Sequence, residues 1–144
     1  MATFTFVDEF RGDLGKGVHN LSTGALKWAL TNTAPVAGTT AVIADITQIA
    51  AGNGYTTGGT ALTSITWAET GAGTGIWRLT AADTVFTASG GSIGTFRYAV
   101  LYNDTPTSPA DPVIGFLDNG SSVTVTTGNT FTIDIGASGI FTTP

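Results

Sequence analysis

The stretch Ser121-Ser122-Val123-Thr124-Val125-Thr126-Thr127-Gly128-Asn129-Thr130-Phe131-Thr132-Ile133-Asp134-Ile135 carries the clearest structural signal in the chain. Val123 and Val125 alternate with threonine, and Phe131, Ile133 and Ile135 resume the alternation. A period of two sends successive side chains to opposite faces of a pleated strand, whereas a helix repeats at 3.6. Between the two runs stands Thr127-Gly128-Asn129. Glycine and asparagine tolerate the backbone angles of a tight turn. The segment predicts a β-hairpin, with 121–126 pairing to 130–135.

Working outward, the same signature recurs. Candidate strands are 55–60, 62–69, 76–80, 84–88, 95–102 and 113–118, separated by Gly71-Ala72-Gly73, Ala81-Ala82-Asp83 and Gly90-Gly91. In 95–102, Phe96, Tyr98, Val100 and Tyr102 point one way and Arg97, Ala99 and Leu101 the other. Both faces are largely apolar, which predicts a central strand covered on both sides. Leu26, Trp28 and Leu30 alternate with Lys27, Ala29 and Thr31, the pattern of a half-buried strand. Many short strands with turns at roughly ten-residue spacing predict an all-β fold, an antiparallel sandwich or jelly-roll-like barrel.

Two segments break the pattern. Phe6, Val7, Phe10 and Leu14 share one helical face, with Asp8, Glu9, Arg11 and Asp13 on the other, and Gly15 and Gly17 follow. This predicts a short N-terminal helix within residues 1–20. Val42, Ile43, Ile46 and Ile49 suggest a helical turn ended near Gly52-Asn53-Gly54, with an Ala-flanked strand as the competing reading. No linker or strict repeat divides the chain, so 1–144 is read as one domain.

Composition narrows the function. Charged residues are 10% of the 144, against a usual value of about 25%. Eight Phe, three Trp and three Tyr supply the burial that a threonine- and glycine-rich chain otherwise lacks. The net charge is −5 and the basic residues Arg11, Lys16, Lys27, Arg78 and Arg97 are scattered. Nucleic-acid binders cluster such residues to neutralise phosphates, so DNA and RNA are not expected as partners. Nor is a membrane, since no apolar run approaches the roughly 20 residues of a span. There is no cysteine. Met1-Ala2-Thr3-Phe4-Thr5-Phe6 lacks the basic and apolar regions of a secretory signal, which fits a cytosolic product or one released by lysis.

Candidate chemistry is sparse. His19 is the one histidine; zinc takes three or four protein ligands and a general base needs a partner, so a loop or capping role is expected. Asp104, Asp111 and Asp118 recur at sevens, and glycosidases use paired carboxylates. Each sits in a turn context (Asn103-Asp104-Thr105-Pro106, Asp111-Pro112, Asp118-Asn119-Gly120), where Asp serves local hydrogen bonding. Gly71-Ala72-Gly73-Thr74-Gly75 has no Walker lysine. Arg11-Gly12-Asp13 falls inside the expected helix rather than on a loop. Trp28, Trp67 and Trp77 lie in alternating strands, which favours core packing over an exposed sugar-stacking platform. No catalytic, metal or cofactor residue is assigned.

Several stretches, in order along most of the chain, carry a likeness. They are Gly17-Val18-His19-Asn20-Leu21, Leu26-Lys27-Trp28-Ala29-Leu30-Thr31-Asn32 and Ala44-Asp45-Ile46-Thr47-Gln48-Ile49-Ala50-Ala51-Gly52-Asn53-Gly54-Tyr55-Thr56. Downstream come Phe86-Thr87-Ala88-Ser89-Gly90-Gly91-Ser92-Ile93-Gly94, Phe96-Arg97-Tyr98-Ala99-Val100-Leu101-Tyr102-Asn103-Asp104, Ile114-Gly115-Phe116-Leu117-Asp118 and Gly120-Ser121-Ser122-Val123-Thr124-Val125. With them the chain resembles the small β-rich structural proteins of tailed bacteriophages. The resemblance implies a capsid decoration or cement protein in the virion, assembled in the host cytoplasm, as a homotrimer on the major capsid protein or other virion subunits. The alternative it leaves is a tail, fibre or carbohydrate-binding receptor-recognition module. It brings no catalytic residues. Phe4, Phe6 and Phe10 are the expected partner contact, the competing reading being that they close the bottom of the sandwich.

Overall fold

The computed structural model describes residues 2–144. The order is β1 (Phe4–Phe6), α1 (Glu9–Gly15), β2 (Leu26–Thr31), β3 (Thr60–Ala61), β4 (Thr66–Glu69), β5 (Trp77–Thr80), β6 (Thr84–Thr87), β7 (Ile93–Asn103), β8 (Val113–Val125), β9 (Thr130–Ile133) and β10 (Phe141–Thr143). All pairings between these strands are antiparallel. A five-stranded sheet runs β1-β8-β7-β2-β3, a three-stranded sheet runs β10-β5-β4, and β6 pairs with β9. The all-β antiparallel class with one short N-terminal helix is as the alternation predicts.

β7 lies between β8 and β2, and Ala99 through Asn103 are buried, so the doubly apolar strand is central. β2 departs from expectation. Every residue except Lys27 is buried, so it is covered on both faces rather than one. Its buried Thr31 is satisfied because the hydroxyl donates to the Thr47 carbonyl at 2.6 Å.

β3 is short, and past its end Tyr55 and the chain around it take over the β2 edge. The Leu30 amide donates to the Tyr55 hydroxyl (3.0 Å) and the Ile49 amide to the Leu30 carbonyl (3.0 Å). The Tyr55 hydroxyl donates on to Gln48 Oε1 (2.7 Å), which also accepts the Gly58 amide (2.8 Å). Residues 55–59 therefore form a coiled loop, the expected strand 55–60 surviving only as Thr60 at the start of β3, and only 66–69 of the expected 62–69 is strand. Gly59 shows why: its φ is +77° and a Cβ there would overlap the Trp28 carbonyl. Gln48→Ala leaves a buried hydroxyl and an amide without their acceptor. Its expected cost is about 1–3 kcal/mol, read as a lowered urea midpoint with unchanged slope.

The expected hairpin is the largest correction. The turn forms, with Gly128 at φ +85° and the Asn129 amide donating to the Thr126 carbonyl. The strands it joins do not pair. Val123 and Val125 sit opposite Phe96 and Ile93 on β7, whereas Phe131 and Ile133 sit opposite Phe86 and Thr84 on β6. The turn carries the chain from one sheet to the other. Likewise Asp118-Asn119-Gly120 does not end a strand: 113–118 and 121–125 are one long β8, with Gly120 at φ +85° and register irregularities along its ladder with β7.

The N-terminal segment is also re-divided. Phe6 belongs to β1, and the helix is confined to Glu9–Gly15 with Gly17 (φ +76°) just beyond it. Asp13, expected on the solvent face, is buried. Of the 42–49 segment only Ile43–Asp45 turns, as a 3-10 helix, and the Asp45 carboxylate accepts the Ala41 (2.8 Å) and Val42 (3.0 Å) amides.

Candidate functional site

Phe4 and Phe6 are both on β1 and point the same way, as residues two apart on a strand must. Their rings meet edge to face at 5.2 Å. β1 lies against β8 because Gly115 has no side chain; a Cβ there would overlap the Thr5 carbonyl and the Phe4 ring. Phe10 on α1 stacks on Phe6 at 5.3 Å. All three rings converge on Phe141 of β10, at 5.1, 4.9 and 5.8 Å. The three expected contact residues are thus brought together. Phe10 is buried while Phe4 and Phe6 are half-buried, so the cluster both closes the sandwich and reaches its surface. Phe141 was not singled out from sequence; its two-residue alternation with Thr143 is too short to register.

From Phe141 the row continues to Trp67 (6.1 Å) and from Trp67 to Trp77 (5.9 Å, planes 25° apart). Trp67 pairs with Leu79 across the β4–β5 ladder and Phe141 pairs with Leu79 across β5–β10, so one inner face carries all of them. The reading of three core tryptophans is corrected here. Trp28 is fully buried, Trp67 is half-buried, and Trp77 is 40% exposed. Clefts of about 280 Å³ and 450 Å³ flank this seam, the first lined by Phe6, Phe10, Arg11, Leu14 and residues 142–144, the second by Ala2, Phe4 and the 136–142 segment.

The other candidates resolve as follows. His19 lies in the loop after α1, buried, its ring 5.3 Å from Phe10. Asn103 Nδ2 lies 3.4 Å from its Nδ1, Nε2 has no partner among the described residues, and burial pushes its pKa down to about 4. The three aspartates separate into two places. Asp104 bonds Lys27 at 2.7 Å, which holds its carboxyl below the usual range. Asp111, in the same loop, is pushed up by burial and by the Asp104 carboxyl. Asp118 is on β8 instead, gripped by Arg97 through two bonds (2.7 and 2.9 Å), and Arg97 and the Gly120 amide hold its carboxyl down. The 71–75 loop is closed by Glu69, whose carboxylate accepts the Gly73 (3.2 Å) and Gly75 (2.6 Å) amides. Arg11-Gly12-Asp13 lies in α1 with its aspartate buried. Among the described residues no cluster of three or more potential metal ligands occurs, and no helix is long and apolar enough to cross a membrane.

Comparison of the chain with family models, curated proteins and solved structures found no match.

Proposed function

We propose that this chain is a structural subunit of a tailed-phage virion, a decoration or cement protein that stabilises the capsid by contact area rather than by chemistry. The observation that carries the reading is the aromatic row from buried Phe10 through Phe6, Phe141 and Trp67 to exposed Trp77. Rings fixed by one another lose little freedom on docking, which favours affinity per unit of surface. A homotrimer at positions of local threefold symmetry multiplies such contacts, and linked modest contacts sum to tight binding. The sequence likeness to small phage structural proteins points the same way.

The test is to mix the purified chain with capsids of its phage assembled without it. Retention on the capsids with a raised capsid melting temperature is expected; no retention and no heat protection overturns the reading. The stacked Trp67–Trp77 pair favours one second reading, a sugar-stacking platform on a tail or fibre. Saturable glycan-array binding that disappears in Trp77→Ala is the outcome that would select it.

A further inference from the structure

We infer that Asn119 is a site of self-modification, where the Asn119-Gly120 pair converts without any enzyme to aspartate and isoaspartate, while the fold holds the same dipeptide at Asn53-Gly54 unreactive. The chain has two Asn-Gly pairs. Asparagine is chemically labile, and most so before glycine, which has no side chain to shield the attacking amide. The glycine nitrogen loses its proton to solvent base and bonds to the asparagine Cγ, and the Cγ–Nδ2 bond breaks to release ammonia. Water then opens the cyclic imide at either carbonyl. Breaking the new Cγ–N bond leaves aspartate. Breaking the old peptide bond leaves isoaspartate, whose main chain runs through Cβ and Cγ. The net change turns one amide and one water into one carboxylate and one ammonium ion.

Ring closure needs the asparagine side chain to swing over the next nitrogen, and the two sites differ in what resists that swing. Asn53 is tied to distant parts of the chain. Its Nδ2 donates to the Ser92 carbonyl (3.0 Å), and its own carbonyl accepts the Ser89 amide (2.9 Å). A Cβ at Gly91 would come within 2.7 Å of the Asn53 side-chain amide, and one at Gly54 would overlap the Thr87 carbonyl, so backbone closes over both reacting partners. Gly52 and Tyr55 exchange amide-to-carbonyl bonds around the pair (2.8 and 3.0 Å). At Asn119 the restraints are local. Tyr98 lies opposite Asp118 and Phe96 opposite Val123, so residues 119–122 have no ladder partners of their own on β7, and all of them are exposed. Apart from its chain neighbours, no atom lies within 4 Å of where a Gly120 Cβ would stand. Asn119 Nδ2 donates to the Ser121 carbonyl (3.0 Å) and the Gly120 amide to Asp118 Oδ1 (2.8 Å). Exposed bonds of this kind are readily exchanged for bonds to water. They slow the reaction without preventing it.

The test incubates the full chain at neutral and mildly alkaline pH, folded and in guanidinium chloride. Peptide mapping follows each Asn-Gly pair for the mass gain of an amide turned to an acid, and isoaspartyl methyltransferase labels the isoaspartate. In the folded chain Asn119 is expected to convert with first-order kinetics, faster as pH rises because the attacking nitrogen must lose its proton. Its rate there should exceed that of Asn53 on the order of tenfold or more, since Asn53 reacts only when its tertiary bonds open. In guanidinium chloride the two rates converge. Asn119→Gln removes the acidic variant that accumulates on ion exchange, and a denaturation midpoint matching the wild type shows that this variant is folded. Asn119 intact in the folded chain, or Asn53 keeping pace with it there, overturns the inference. Neither result depends on capsid binding.

Discussion

Trp28→Ala is expected to cost about 3–5 kcal/mol. Trp28 is fully buried at the middle of β2, with Thr60 opposite on β3 and Leu101 opposite on β7. Its ring meets Phe4 edge to face at 6.3 Å, so it also anchors β1 from below. Removing it empties a site bounded by two ladders, and backbone held by ladders on both sides cannot collapse to fill the space. Trp28→Phe distinguishes packing from polarity. Trp28 Nε1 is buried with no acceptor among the described residues. Phenylalanine removes that unpaired donor along with part of the volume, so its loss should fall well below that of alanine. Urea denaturation checks both. A loss below about 1 kcal/mol for Trp28→Ala contradicts the central place of this residue in the core.

The second large effect is on pH. His19 is held neutral by burial alone, with a folded-state value of about 4 against an ordinary 6.5. Neither Asp13 on α1 nor Asp104 beside Asn103 offsets that burial with its charge. As pH falls below 6.5 the unfolded chain takes up the proton first, so the folded state loses stability from there down to about 4. The difference corresponds to about 3 kcal/mol at the lower end. Other groups act in different directions. Asp13, raised by burial, becomes less unfavourable as it protonates, whereas Asp104 and Asp118, lowered by Lys27 and Arg97, lose their contribution only as pH falls through their depressed values. Subtracting His19→Gln from wild type at each pH isolates the histidine. The difference should grow steadily from pH 7 to 4.5; a flat difference shows that His19 is protonated in the folded state or reaches solvent.

That loss is local to the aromatic row proposed as the contact surface. His19 packs on Phe10, and Phe10 stacks on Phe6, the half-buried ring of β1. A proton under α1 therefore loosens the same row of rings that ends at Trp77. Hydrogen exchange of the α1 amides at acid pH is expected to rise before that of β7, because elements with few buried contacts open first.

The sequence by itself determined the class of the fold and most of its strands. Alternation reports which face a residue takes, and turn residues report where the chain bends, both from neighbours along the chain. That was enough for β5, β6, the central placement of β7 and the bend at Gly128. The tertiary structure alone decided partners. The bend at Gly128 looks the same whether the next strand folds back on β8 or crosses to β6, since a period of two is indifferent to what lies beside it. Packing against Phe86 and Thr84 made the choice. Burial followed from those choices: β2 is buried on both faces with its edge closed by the loop around Tyr55, and Trp77 stays 40% exposed. The aromatic row divides in the same way. Phe4, Phe6 and Phe10 were legible as an aromatic segment, but Phe141 and Trp67 joined them only when β10 was brought against the rings of β1. Contacts between the two ends of a chain are set by pairing and packing, and no local pattern records them.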